Sequence, residues 1–485
     1  MMTATHLADI VLVQLEWAVL FYFILVNSFY AVLLVSAARE MIHHVRTVRG
    51  EARSRILGSP AAPRISILAP AFNEEATIED SVRSLLALYY PNVELVVVND
   101  GSKDDTVAVL ERCFELLPMA AVLEPRVAAK RVRRLYRSRT HPNLVVADKE
   151  NGGKADALNV ALNLASGELV CAIDADTIIE PDALQRMVRP FIANPGAVAA
   201  GGTIRVANGC TIRRGRILEI KAPANPLAGF QVIEYLRAFL FGRLGWNRLG
   251  GNLIISGAFG LFRRDAVLAI GGYAHDTVGE DMELVIRLRK RGYETGGPSD
   301  ADFVPDPVAW TEVPESARVL GRQRDRWHRG LADVLWRHRK VLFNRKYGAM
   351  GWVSFPYFLF VELLAPIVEA IGLVAGAVGL ALGLINIPFA ILYFLLAYGY
   401  GILLSLLTLL LEELSFQRYH RLRDRFVLIG WALTENLGYR QLTVVWRLRG
   451  LWKYLRGRKD WGAMERRGLN RDAGVSIAPH APAGP

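Results

Sequence analysis

Cysteine is scarce in this chain: three in 485 residues, Cys113, Cys171 and Cys210, all far apart. No two stand at metal-ligand spacing and no disulfide framework can be read, which fits a reducing compartment. A recognised nucleic-acid-binding motif is also missing. The net charge of +11 is therefore not a nucleic-acid footprint, and no nucleic-acid partner is expected. The glycine pattern of a dinucleotide fold is absent after the first predicted strand, which argues against an NAD enzyme. Gly152-Gly153-Lys154 lacks the spacing of a Walker A loop. No basic segment precedes the first apolar run, and that run is too long for a cleaved signal peptide. No internal repeat is visible.

Long apolar runs, by contrast, are plentiful. The chain is 52% hydrophobic with a mean hydropathy of +0.22, high for a soluble protein and low for one made only of membrane helices. A water-soluble domain with several membrane segments is expected. Residues 11–38 are long enough for one tilted spanning helix, which needs about 20 residues. Arg39, Arg46, Arg49, Arg53 and Arg55 follow it. The excess of cationic residues on cytoplasmic loops places the N-terminus outside and residue 40 onward in the cytoplasm. Two further runs, 352–384 and 387–411, read as spans going out and back, with Arg418, Arg421, Arg423 and Arg425 inside again. A last apolar segment, 426–446, carries Glu435, Asn436 and Arg440. Basic flanks at both ends favour an interfacial or re-entrant helix over a third span. The tail from Ala473 is Ala/Pro/Gly-rich and predicted to be disordered.

Five regions follow: a transmembrane helix (1–40), a cytosolic domain (64–317), amphipathic interface helices (318–350), a C-terminal membrane region (351–446) and a basic, then disordered tail (447–485). Within the cytosolic domain, residues 64–70, 93–99, 144–147 and 169–173 are short apolar runs of the kind that form buried parallel strands. Helical patterns at 75–88 and 155–165 lie between them. This alternation predicts an α/β domain with helices on both faces of the sheet. The segment 318–346 is rich in Arg, Trp, His and Leu, and predicts amphipathic helices on a membrane surface.

Polar motifs stand just past the predicted strands, where α/β sheets bind ligands. The first strand ends in Phe72-Asn73-Glu74-Glu75 and the second in Asn99-Asp100-Gly101-Ser102. The latter is equally a plain turn. Asn151-Gly152-Gly153-Lys154 opens a helix, and its backbone N–H groups and ammonium suit a diphosphate. A glycine-capped loop with a surface lysine is the bland reading. Asp174-Ala175-Asp176 directly follows an apolar strand. Hard oxygens there suit Mg²⁺ or Mn²⁺ held together with phosphates. Ser256-Gly257-Ala258 precedes Gly279-Glu280-Asp281, and the acidic pair opens a helix. It either complements the helix dipole or supplies a general base. Gln323-Arg324-Asp325-Arg326-Trp327 either snorkels at an interface or pairs Arg with phosphate and Trp with a sugar face.

In this order, the pieces resemble the inverting family-two glycosyltransferases, in their membrane-embedded processive branch of cellulose, chitin, hyaluronan and poly-N-acetylglucosamine synthases. The resemblance covers residues 65–330 and the membrane layout on either side. It implies a GT-A (Rossmann-like) fold, a UDP-sugar donor, a divalent Mg²⁺ or Mn²⁺, and a growing polysaccharide acceptor. It implies that Phe72, Glu74 and Asp100 hold the uridine, that Lys154, Asp174 and Arg326 stand at the nucleotide and diphosphate, and that Asp176 binds the metal. It implies that Asp281, with Glu280 beside it, is the catalytic base. It implies that Ser256, Gly257, Ala258, Gln323 and Trp327 receive the acceptor. The expected activity is that of a hexosyltransferase making and exporting a β-linked polymer at a bacterial inner membrane, with its catalytic domain cytoplasmic. A single-addition enzyme acting on a polyprenyl phosphate or diacylglycerol is the alternative, and an inactive transport or scaffold protein is a third reading. Membrane lipids, accessory subunits or a second copy are possible partners. Gly279 replaces the usual Thr of the acidic motif, which is expected to loosen that loop. The basic stretch 126–139 is expected either to touch anionic lipid or to form a solvated helix.

Overall fold

The computed structural model describes residues 4–50, 62–120, 125–174, 177–213, 215–383 and 387–457. Asp176, Arg53, Arg55 and the tail from Ala473 lie outside these residues.

Its centre is a mixed sheet. The strands are β1 (Ile65–Ala71), β2 (Val93–Asn99), β3 (Leu116–Pro118), β4 (Val132–Ser138), β5 (Leu144–Lys149), β6 (Leu169–Ile173), β7 (Ile178–Ile179) and β8 (Ala197–Val206). After a small hairpin of β9 (Thr211–Arg213) and β10 (Arg216–Glu219) come β11 (Phe259–Arg263) and β12 (Asp300–Thr311). The spatial order is β3-β4-β5-β2-β1-β6-β11-β8-β12-β7. The inner strands β5, β2, β1 and β6 are parallel, and β11 runs against β6 and β8. Strand order turns outward on both sides of β1, so the crevice past the carboxyl ends of β1, β2 and β6 is a switch point where such sheets bind ligands.

These four strands fall where continuous apolar runs predict them, because both faces are covered. Ile65, Ile67, Leu95 and Val97 pack on one side with Val82, Leu85 and Phe114. Leu68, Val96 and Val98 pack on the other with Leu158 and Ala161. Helix α1 (Ala4–Gly50) precedes β1, α2 (Ile78–Leu86) follows β1, α3 (Thr106–Phe114) follows β2 and α4 (Lys154–Leu164) follows β5; α2 and α3 cover the first face and α4 the second.

The basic stretch 126–139 corrects the helical expectation. Its second half is β4, antiparallel to β5. Arg133, Arg134 and Arg137 stay exposed while Leu135 and Tyr136 are buried. Pairing with a neighbouring strand satisfies the backbone, and burial of the Leu-Tyr pair outweighs local helix preference.

Helix α5 (Pro226–Leu236) starts at Asn225, whose side chain accepts from the N–H groups of Leu227 and Ala228, with Pro226 in the first turn. Both features are favourable at a helix start. The chain continues through a π-helical turn, Arg237–Arg243, into a further helix, Leu244–Leu249. Helix α6 (Glu280–Thr295) and α7 (Ala317–Arg337) follow, then α8 (Ala365–Ala381), α9 (Tyr400–Ser415), α10 (Leu422–Thr434) and α11 (Tyr439–Leu455). Among the described residues, two helical runs, Leu12–Arg46 and Met350–Ala381, are long and apolar enough to cross a membrane. They leave Phe21, Leu25, Val374 and Leu380 exposed. The apolar segment 426–446 is divided between α10 and α11, with Gly438 at φ +88 in the break.

Helix α7 is amphipathic, but its polar stripe is covered. Asp325 is 1% exposed and meets Arg329 at 3.0 Å, Arg449 at 3.1 Å and Lys453. Gly450 lies so close that a Cβ there would stand 2.5 Å from the Asp325 carbonyl oxygen. Helix α11 is thus locked across α7.

Candidate active site

Strand ends and helix starts converge on the crevice. The loops after β1 and β2 are clipped together: Asn73 N–H donates to Ser102 Oγ at 2.9 Å, and Lys103 N–H to Asn73 Oδ1 at 2.9 Å. Asn73 takes a left-handed φ of 55°, which an Asn side chain tolerates through such local bonds. Glu74 N–H donates to Thr106 Oγ1 at 2.9 Å. Phe72 projects from this clip, 46% exposed.

Asp100 is nearly buried. Its carboxylate accepts from Lys149 Nζ at 2.5 Å, Gly152 N–H at 2.9 Å and Gly153 N–H at 2.7 Å. The N–H groups expected to face a diphosphate are therefore spent on Asp100. A carboxylate out of water needs its acceptor sites filled, and this one finds the glycine loop. Lys149, with no exposed side-chain surface, also reaches Asp156 at 2.7 Å. Asp100 still borders the cavity, but its charge is used to hold the loop that presents Lys154.

Lys154 opens α4 behind Gly153, whose φ of +87° suits glycine. Its Nζ meets Asp174 Oδ1 at 2.5 Å and Glu280 Oε1 at 4.0 Å. Burial works to depress the Lys154 ammonium, but Asp174 and Glu280 outweigh it and raise the pKa. A Cβ at Gly257 would lie 3.1 Å from Lys154 Nζ and 3.8 Å from Asp281 Oδ2. Lysine, glycine and Asp281 thus share one point. Burial pushes the Glu280 carboxyl up to about 7, with Lys154 opposing and Asp281 adding to the rise. Three carboxylates, from Asp174, Glu280 and Asp281, surround one lysine.

Gly279 serves a close approach and is not a loosened hinge. A Cβ on it would stand 3.2 Å from the backbone of Gly330 on α7, and the reverse holds for Gly330. Its N–H donates to Thr277 Oγ1 at 3.2 Å. The start of α6 is pinned against α7 because neither residue has a side chain.

On α7 the cavity face runs through Gln323, Arg326, Trp327 and Gly330, the three-and-four spacing of one helix side. Trp327 is 43% exposed, and the Arg324 guanidinium lies 4.5 Å from its ring centroid. Gln323 Oε1 is buried with no partner among the described residues.

One cavity of about 1680 Å³ joins these groups. Phe72, Glu74, Asp100, Lys154, Asp174, Ser256, Gly257, Ala258, Glu280, Asp281, Gln323, Arg326 and Trp327 all border it. Asp176 lies outside the described residues. The same space continues between the helices, past Asn27, Glu362, Glu369, Asn436 and Arg440. Its charged residues there are paired: Arg237 with Glu435 at 2.5 Å, Arg324 with Glu234 at 2.7 Å, Arg440 with Glu369 at 2.8 Å and Arg447 with Glu362 at 3.5 Å. Sequence reasoning missed Lys149, Asp156 and this paired lining. The signal was present only as isolated charges inside apolar runs, such as Glu435 and Arg440.

Residues 66–271 match the family model described as Glycosyl transferase family 2, and residues 169–406 that described as Glycosyl transferase family group 2. The poly-beta-1,6-N-acetyl-D-glucosamine synthases of Staphylococcus aureus (strain COL) and Staphylococcus epidermidis are each 30% identical to the chain over 274 residues, 56% of this chain and 56% of the relative. The chain thus spans about half the length of the curated relatives it matches. Among solved structures, the mannosyltransferase PcManGT from Pyrobaculum calidifontis, in complex with GDP-Man and Mn²⁺, is similar at 21% identity and a TM-score of 0.47, covering 86% of this chain and 99% of that one.

Proposed function

We propose that this chain, which belongs to glycosyl transferase family 2 and is a glycosyltransferase, adds sugars from a UDP-activated donor to a growing β-linked polysaccharide and passes the product between its own helices. The observation that carries the reading is the continuity of the cavity. It reaches from Asp174 and Asp281 to Glu369 and Arg440. A single addition to a lipid headgroup needs no polar-lined passage of that depth.

In this reading the uridine rests by Phe72, Glu74 and Asp100, and Lys154 and Arg326 face the diphosphate. The acceptor lies over Ser256, Gly257 and Ala258, with Gln323 and the Trp327 ring beside it. Asp281 takes the proton of the acceptor hydroxyl. The acceptor oxygen bonds to the anomeric carbon as the bond to the diphosphate breaks, so configuration inverts and UDP departs. Proton transfer of this kind contributes about 10²–10⁴-fold. Glu280 stands next to the base and shares Lys154 with Asp174.

A divalent cation suits the local charge. Three carboxylates share one lysine, and Asp174 is a hard, partly exposed oxygen donor. Mg²⁺ is commonly held by one or two carboxylates plus substrate phosphates. Asp174 and Asp176 are the residues that would hold Mg²⁺ or Mn²⁺, and the ion when bound would neutralise charge on the departing diphosphate.

Helices Leu12–Arg46 and Met350–Ala381 would span the inner membrane, with the sheet domain on the cytoplasmic side, where Arg39 and Arg46 also lie. The synthases it resembles make the donor of first choice UDP-N-acetylglucosamine and the linkage of first choice β-1,6. The test is UDP release by purified protein against a panel of UDP-sugars, with Mg²⁺, Mn²⁺ and EDTA, followed by product length on a gel. Release with one sugar, lost in EDTA, and a ladder of products support the reading. A single product band supports the lipid-acceptor alternative, and no release with any donor overturns the enzyme reading.

A further inference from the structure

The π-helical turn Arg237–Arg243 interrupts an otherwise α-helical run. Such turns re-aim side chains and gather at functional sites. Here the turn ends at Arg243, which borders the cavity. Its guanidinium lies 4.2 Å from the Phe239 ring centroid, and its Nη1 is buried with no hydrogen-bond partner among the described residues. Arg237, Arg324, Arg440 and Arg447, also at the cavity, each meet a glutamate. Arg243 meets no carboxylate within ion-pair distance among the described residues. Burial pulls its pKa below the ordinary arginine value, and the Asp281 carboxylate is the largest opposing influence. Arg243 as a whole is half-buried, but a buried donor of a cation left unfilled is costly unless something supplies the acceptor.

The position says which substrate supplies it. The donor diphosphate belongs at Lys154 and Asp174, past the strand ends. Arg243 comes from a different element, the π-helical turn. Its neighbours in sequence pack toward the helices, Phe241 on Tyr30 at 5.9 Å and Trp246 on Tyr357 at 5.1 Å. The acceptor hydroxyl must come within about 3 Å of the base, and the rest of the acceptor extends away from the donor.

We propose that Arg243 is an acceptor-docking residue, whose guanidinium donates hydrogen bonds to an oxygen of the terminal acceptor sugar beside Asp281 while Phe239 holds its plane. This rests on the reading of Asp281 as the base of a glycosyl transfer.

The test uses full-length protein in detergent, with UDP-N-acetylglucosamine as donor and a β-1,6-linked N-acetylglucosamine tetramer as acceptor probe. Arg243→Met and Arg243→Lys are compared with the parent. The expected result is an acceptor KM raised about tenfold or more in Arg243→Met, the loss of a charge-assisted hydrogen bond. Donor KM and UDP affinity stay unchanged, and Arg243→Lys recovers part of the loss. An unchanged acceptor KM, or a loss that falls on donor KM, overturns the proposal. Tetramer binding, followed by tryptophan fluorescence, separates the two levels of inference. Binding by the parent that Arg243→Met lacks, without transfer from any donor, sinks the enzyme reading and keeps the docking role. Transfer that ignores Arg243 does the reverse. A parent that neither binds nor transfers overturns both.

Discussion

The two ends of the cavity handle charge in opposite ways. In the crevice past β1, β2 and β6, Asp174, Glu280 and Asp281 share the single ammonium of Lys154. Between the helices, Glu234, Glu362, Glu369 and Glu435 each have an arginine of their own. Unbalanced charge is costly to bury and is retained where a ligand completes it. Balanced pairs cost less and leave a polar wall without a fixed net field. The crevice is therefore built to hold charged partners, a cation and a diphosphate under the proposed function. Under the same proposed function, the passage suits an uncharged chain that moves on.

The comparison can be broken most severely at Asp281. Asp281→Asn is expected to lower turnover about 10³-fold, with UDP and metal affinity kept. Steady-state rates and calorimetric UDP titration check this, and lost UDP binding would contradict the base assignment. Next in size is the joint between the sheet that carries the crevice and the helices. Arg205 on β8 and Glu412 on α9 form an ion pair 2% and 4% exposed. Glu412→Gln leaves a buried cation unpaired and is expected to cost about 3 kcal/mol, read as a lower unfolding temperature in detergent. Replacing both residues by apolar ones of similar size is expected to recover most of that loss.

The crevice is expected to respond to pH near neutrality. Glu280 is raised from 4.5 to about 7, so between these values the folded state binds more protons than the unfolded. Its contribution to stability is fully present below about 4.5 and is lost as pH rises through 7. Stability should fall over that window by about 3 kcal/mol, read as a lower unfolding temperature, and Glu280→Gln should flatten the slope. The smallest effect belongs to Trp327, half exposed where crevice and passage meet. Trp327→Ala is expected to raise acceptor KM by up to about tenfold, consistent with loss of one aromatic contact worth about 1 kcal/mol, with UDP binding kept. Unchanged elongation would remove it from the site.

Much of the crevice was legible in the sequence, because buried parallel strands read as continuous apolar runs. β1, β2, β5 and β6 fall within a few residues of expectation, and the polar motifs follow their carboxyl ends. β4 was not legible as a strand. Its arginines suggested a helix or a lipid contact, and only pairing with β5 makes it a strand. The role of Asp100 was half legible. A polar residue after a strand was the right place to look, but its acceptors are filled by Lys149, Gly152 and Gly153. Gly279 read as freedom, and in the fold it is contact with Gly330, 51 positions later in the chain.

Local order along the chain determined which segments become strands and helices and which side chains stand at their ends, since burial pattern and turn chemistry act over a few residues. Only the tertiary structure decided which charges neutralise one another. Arg205 and Glu412, or Arg237 and Glu435, lie about 200 positions apart, and no local pattern relates them. An arginine in an apolar run looks the same whether it will be paired or left open. Arg237 and Arg243, six residues apart on one π-helical turn, differ only in whether a distant helix brings a glutamate within reach.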